Sequence, residues 1–191
     1  MDKVLIGLVV ATAAEVAGLA YWLHLLQGGA LGTSFLALIA GEAVEWSLLA
    51  TLIVRNAALH EPQGGHVRGL LIKTALIIFS ESLLWVCWVV LIDHLGFAAS
   101  TLFLLITMHV KHGAAVSAYT GRPMSADIFD VSSISASVLE VGGAAIFYQL
   151  YFSGQVAVGI AVLAVCITIE HSLQFRSAGI FNPKGAPPAF S

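Results

Sequence analysis

Apolar residues run almost unbroken through six stretches of this chain, at about 4 to 26, 32 to 55, 69 to 92, 96 to 118, 130 to 152 and 155 to 176. Each has the length of about 20 residues that an α-helix needs to cross the hydrocarbon core of a bilayer. The pattern therefore predicts an all-α fold, a polytopic membrane bundle of six transmembrane helices. The first stretch is too long for the apolar region of a signal peptide and carries Glu15 at its centre, so it reads as a retained helix.

Every stretch is interrupted near its middle by an ionisable residue: Glu15, then Glu42 and Glu45, then Glu81, His109 and His112, Glu140, and Glu170. An acidic residue at the centre of a membrane helix costs about 2.5 to 3.5 kcal/mol on insertion scales, and such residues mark ion, proton or ligand sites. At a rise of about 1.5 Å per residue, Glu15, Glu45, Glu81, His109 and Glu140 all fall about 15 Å from one end of their helices, with Glu42 deeper and His112 and Glu170 nearer 10 Å. The polar groups thus form one layer.

The connections 28–32, 93–96 and 153–154 are tight and contain no Lys or Arg, whereas all eight Lys and Arg residues lie on or near the opposite side. The positive-inside rule then places both termini in the cytoplasm. The longer loops, 56–68 with Glu61-Pro62-Gln63-Gly64-Gly65 and 120–130 with Gly121-Arg122-Pro123, carry turn and breaker residues. Asp127 and Asp130 are placed to cap the fifth membrane helix. The tail 177–191, with three prolines, reads as disordered, leaving 1–176 as one transmembrane domain.

An internal repeat organises these elements. Glu15 and Glu45 are 30 residues apart, as are Glu140 and Glu170, and aligning the two pairs matches about ten of roughly 35 residues. The middle pair of helices fits more loosely, with His109 and His112 following Glu81 by 28 and 31 residues. The chain then reads as three helical hairpins, about 4–55, 69–118 and 130–176, around a pseudo-threefold axis along the membrane normal.

Composition agrees. The chain is 59% hydrophobic, only 10% charged and of mean hydropathy +0.93, far from a soluble domain. A net charge of −3 without a basic run excludes nucleic acid as a partner. Cys87 and Cys166 have no neighbours at metal-motif spacing and read as packing residues. His24, His60, His66 and His94 fall at helix ends or in loops, where an interfacial or solvated role is expected. Gly18, Gly41, Gly113, Gly142 and Gly143 suit close helix packing, and Trp46, Trp85 and Trp88 suit packing or the wall of a site.

Six membrane carboxylates face only Lys111 as an intramembrane cation, and helical geometry turns Lys111 away from the mean direction of His109 and His112, toward a snorkelling position. Protons or metal must neutralise the layer. Oxygen ligands joined by imidazoles suit iron, manganese or zinc, and four Glu with two His is the inventory of two-metal bundle sites, although this chain lacks the Glu-x-x-His element. The sequence therefore predicts a dinuclear centre with Glu15, Glu45, His109, His112, Glu140 and Glu170 as ligands, Glu42 and Glu81 as catalytic or proton-relay groups, and iron favoured over zinc or manganese. The function expected is a metal-dependent oxidoreductase acting on a hydrophobic or small membrane-permeant substrate. The alternatives are a divalent-cation or proton transporter using the same layer, and a small subunit of a larger membrane complex or homo-oligomer.

Overall fold

The computed structural model describes residues 2–58, 67–120 and 123–177. Six long helices, α1 (Asp2–Gln27), α2 (Leu31–Ala58), α3 (Val67–Leu95), α4 (Phe97–Thr120), α6 (Val131–Phe152) and α7 (Val156–Ser177), are joined by short turns and by the single-turn helix α5 (Met124–Ile128). The long helices lie within a few residues of the six apolar stretches. The expectations for His60, His66, the Glu61-to-Gly65 turn, Gly121-Arg122 and the tail beyond residue 177 fall outside the described residues.

Five of the long helices, all but α4, are long and apolar enough to cross a membrane. His109, Lys111 and His112 lower the hydropathy of α4, whose length of 24 residues matches the others. Leu5, Ile6, Leu71, Leu76, Phe103 and Val165 are among many large apolar side chains on the outer surface, as expected of a protein solvated by lipid. The protein is an integral membrane protein.

The long helices form a closed ring. α1 packs on α2, α2 on α3, α3 on α4, α4 on α6, α6 on α7, and α7 returns to α1. The closest pairs are α1–α2 and α6–α7, and glycine explains both. A Cβ on Gly18 would meet the Gly41 Cα at 2.9 Å, and one on Gly143 would meet the Cys166 Cβ at 2.6 Å, so backbones approach where no side chain intervenes. The turns at Gly29 and Gly154 have φ of 76° and 81°, and each closes its helix with a bond from residue i to the carbonyl at i−5, Ala30 to Leu25 and Gln155 to Leu150. Asp130 caps α6 by accepting from the Ser133 N–H, whereas the side chain of Asp127 lies outside the described residues.

The core is divided in two. Toward the tight turns lies a large apolar cluster that includes Trp22, Leu38, Trp85, Trp88, Leu104, Phe147 and Leu163. Toward the opposite end lies a smaller one around Leu8, Trp46, Leu49, Ile77, Ala115 and Phe175. The carboxylates occupy the level between them.

Candidate metal centre

Six carboxylates from five helices are buried at this level: Glu15, Glu42, Glu45, Glu81, Glu140 and Glu170, each at most 3% exposed. Two imidazoles, those of His112 and His171, join them. Ionised groups so far from water demand partners of opposite charge or protons. Yet one oxygen each of Glu15, Glu42, Glu45 and Glu170, and both of Glu140, make no hydrogen bond.

The side chains divide into two groups. In the first, His171 Nε2 from α7 lies 3.3 Å from Glu15 Oε2 on α1, 3.3 Å from Glu45 Oε1 on α2 and 3.5 Å from Glu170 Oε2 beside it on α7. Two ligands on one ion at bond lengths of about 2.0 to 2.2 Å stand roughly 2.9 to 3.5 Å apart, a spacing these contacts match, and the Glu45 contact is also within hydrogen-bond reach. The other ring nitrogen, Nδ1, is 3.0 Å from the Thr12 hydroxyl. Thr12 and Glu15 are one helical turn apart on the same face of α1.

In the second group, His112 Nε2 from α4 lies 3.4 Å from Glu140 Oε2 on α6 and 4.0 Å from Glu81 Oε1 on α3. Its Nδ1 is 3.3 Å from the Ser137 hydroxyl, which stands one turn before Glu140. A hydrogen-bond chain fixes this imidazole. His109 Nε2 is 2.8 Å from the Ile128 carbonyl, which only accepts, so that nitrogen donates. The Ser137 hydroxyl lies 3.1 Å from His109 Nδ1 and donates its one proton to the Ser133 carbonyl at 3.2 Å. The Ser137 oxygen in turn accepts from His112 Nδ1–H, and the lone pair of His112 Nε2 faces two carboxylates. A lone pair so placed repels them unless a cation or a carboxyl proton lies between.

Lys111 corrects the sequence reading. It does not snorkel: it is 9% exposed, its Nζ lies 2.5 Å from Glu81 Oε2 and 4.5 Å from the centre of the Trp46 ring. The helical-wheel argument assumed one polar direction on α4. In the ring α4 faces α3 on one side and α6 on the other, so Lys111 serves Glu81 while His109 turns to Ser137 and the Ile128 carbonyl. Glu81 also accepts from Trp46 Nε1, which makes Trp46 a partner of the layer, while Trp85 and Trp88 belong to the apolar core.

Of the residues singled out from sequence, Glu15 and Glu170 meet in the first group with Glu45 in contact, and Glu81, His112 and Glu140 meet in the second. Glu42 is buried at the same level with one oxygen unbonded. His109 stands apart, with both nitrogens engaged by Ser137 and Ile128. His24, exposed, pairs with the Tyr151 hydroxyl at the turn end, and His94 is also exposed.

His171 was left undecided in the sequence, because its neighbour Glu170 points about 100° away. The structure buries both. A signal was present: His171 follows Glu140 by 31 residues, the same interval that separates His112 from Glu81. Thr12 and Ser137 were missed, and they too stand in matching places, three residues before Glu15 and Glu140.

The two groups can each hold a metal ion, and the donor set of carboxylates with one imidazole suits a hard or borderline divalent ion. No protein-family model, characterised protein or solved structure matches the chain, so the functional reading rests on these residues.

Proposed function

We propose that the protein is a membrane metalloprotein whose Glu/His layer holds divalent metal inside the bilayer, and that it acts as a metal-dependent oxidoreductase on a hydrophobic or small membrane-permeant substrate. In this reading all six long helices span the membrane, both termini are cytoplasmic, and three hairpins are copies about a common axis. The observation that carries the metal assignment is the enclosure of His171 Nε2 by three carboxylate oxygens within 3.5 Å, with no ammonium or guanidinium in contact with that group among the described residues.

The first ligand set is Glu15, Glu45, Glu170 and His171; the second is Glu81, His112 and Glu140. Thr12 and Ser137 orient the imidazoles, and His109 supports Ser137. Glu42, beside the layer, is the group placed to move a proton. Iron is favoured, because an oxygen-rich, single-imidazole set suits it and because iron supplies redox chemistry that a substrate dissolved in lipid can reach.

A resident metal is favoured over a conducted ion by the apolar clusters on both sides of the layer. Conduction needs a wetted path and ligands weak enough to release. The bundle-long polar file such a path requires is replaced here by tryptophan, leucine and phenylalanine.

The test is elemental mass spectrometry on protein purified in detergent without added metal or chelator, beside a Glu45→Ala, Glu170→Ala double variant. One or two equivalents of iron, manganese or zinc are expected in the wild type and loss of metal in the variant. Less than about a tenth of an equivalent in both would overturn the resident-metal reading and leave protonated carboxylates and ion movement in its place.

A further inference from the structure

Resting on the metal reading above, we propose that Lys111 takes the place of a second metal ion, so that the centre holds one resident metal, in the group around His171, and one built-in ammonium, in the group around His112.

The argument begins with register. Counting from Glu15, Glu81 and Glu140, the residue 23 positions later is Leu38, Leu104 and Leu163, each fully buried at 0% exposure. The residue seven positions later is Trp22, Trp88 and Phe147, all buried aromatics. Three helix pairs thus share one numbering of inward positions. In that numbering the position 30 residues on is Glu45, Lys111 and Glu170, and the next is Trp46, His112 and His171. Lys111 therefore occupies the place held by a carboxylate in the other two hairpins.

Each hairpin offers these two positions to the first helix of the next one around the ring. Between α7 and α1 the set is complete: Glu170, His171 and Glu15 meet, and Glu45 adds a fourth contact. Between α2 and α3 the imidazole is replaced by Trp46, whose indole N–H donates to Glu81 and has no lone pair to give a metal. Between α4 and α6 the imidazole of His112 remains beside Glu140, but the carboxylate is replaced by Lys111, paired to Glu81.

A lysine ammonium and a divalent ion compete for the same oxygens, and the ammonium is covalently present. It also lies 4.5 Å from the centre of the Trp46 ring, whose face favours a cation. A metal entering beside it would meet a buried like charge within a few ångströms, at low effective dielectric. The three sets thus become one metal site, one ammonium site and one indole-capped carboxylate.

The test counts metal. Detergent-purified protein is loaded with manganese(II), gel-filtered and measured by elemental mass spectrometry. The wild type is expected to retain one equivalent per chain, Lys111→Met and Lys111→Glu two, and Lys111→Arg one. Two equivalents in the wild type, or one in a monodisperse Lys111→Met protein, would overturn the proposal while leaving a metal centre in place. No metal in the wild type would overturn it together with the reading on which it rests.

Should the lysine variants fail to fold, Glu140→Gln and Glu170→Gln decide. Loss of the metal in Glu170→Gln with its retention in Glu140→Gln supports the assignment, and the reverse pattern, or loss in both, overturns it.

Discussion

The surroundings of His171 and of His112 are built from the same parts and solve opposite problems. Both imidazoles present Nε2 to carboxylates from neighbouring helices, and both rest Nδ1 against a hydroxyl one turn before a glutamate. Around His171 three carboxylate oxygens converge with no Lys or Arg among them from the described residues. Around His112 the nearest carboxylate pair includes Glu81, which already holds Lys111 and accepts from Trp46. One group is electrostatically unfinished and the other is nearly complete. On the proposed reading, the same backbone positions make a ligand site in one place and a structural ion pair in the other, and one substituted side chain decides which.

The largest expected effect breaks the comparison outright. His171→Ala should abolish retained metal, while His112→Ala should leave at least half of it, both read by elemental analysis after gel filtration. Equal losses would mean that the two groups hold the metal jointly. Next comes the hydroxyl beside each imidazole. Thr12→Val should weaken metal affinity about 10- to 100-fold, the usual cost of removing a group that orients a ligand imidazole, whereas Ser137→Ala should change it by less than about threefold. Competition with a coloured chelator measures both.

A third, smaller effect probes packing rather than ligands. Gly18→Ala would drive a Cβ into the Gly41 backbone and should lower stability by about 1 to 3 kcal/mol, while Gly142→Ala, which would meet nothing within 4 Å, should be close to neutral. Thermal unfolding in detergent separates them. Because Gly18 lies one turn from Glu15, Gly18→Ala should also loosen the His171 group more than the His112 group. The smallest effect is at the N-cap of α6: Asp130→Ala should cost about 1 kcal/mol and leave metal content unchanged, measured by the same two assays.

Much of this was legible in the sequence. The helices were visible because lipid imposes one rule on every turn, so any 20-residue span must be apolar and any exception stands out. That is why Glu15, Glu81, Glu140 and Glu170 could be named, and why their depths could be compared from helical rise. What depended on direction around the axis was harder. The polar groups of α4 point two ways, toward α3 and toward α6, and a single averaged direction had Lys111 snorkelling toward the cytoplasm when it lies in the layer. His171 was obscured by its neighbour for the same reason. α5 went unseen because a five-residue helix has no periodicity to read. The hydroxyls of Thr12 and Ser137 carried no signal alone, since threonine and serine are common in membrane helices, and only their matching positions give them away.

The closure of the ring between α1 and α7 gives the proposed site a history as well as a geometry. Glu15 lies on α1 and His171 on α7, with Thr12 and His171 joined across 159 positions of sequence. The proposed ligand set therefore forms only once α7 has packed beside α1. Until then Glu15 and Glu45 lack the imidazole of His171, and an ion bound by the complete set would stabilise the closed ring by mass action.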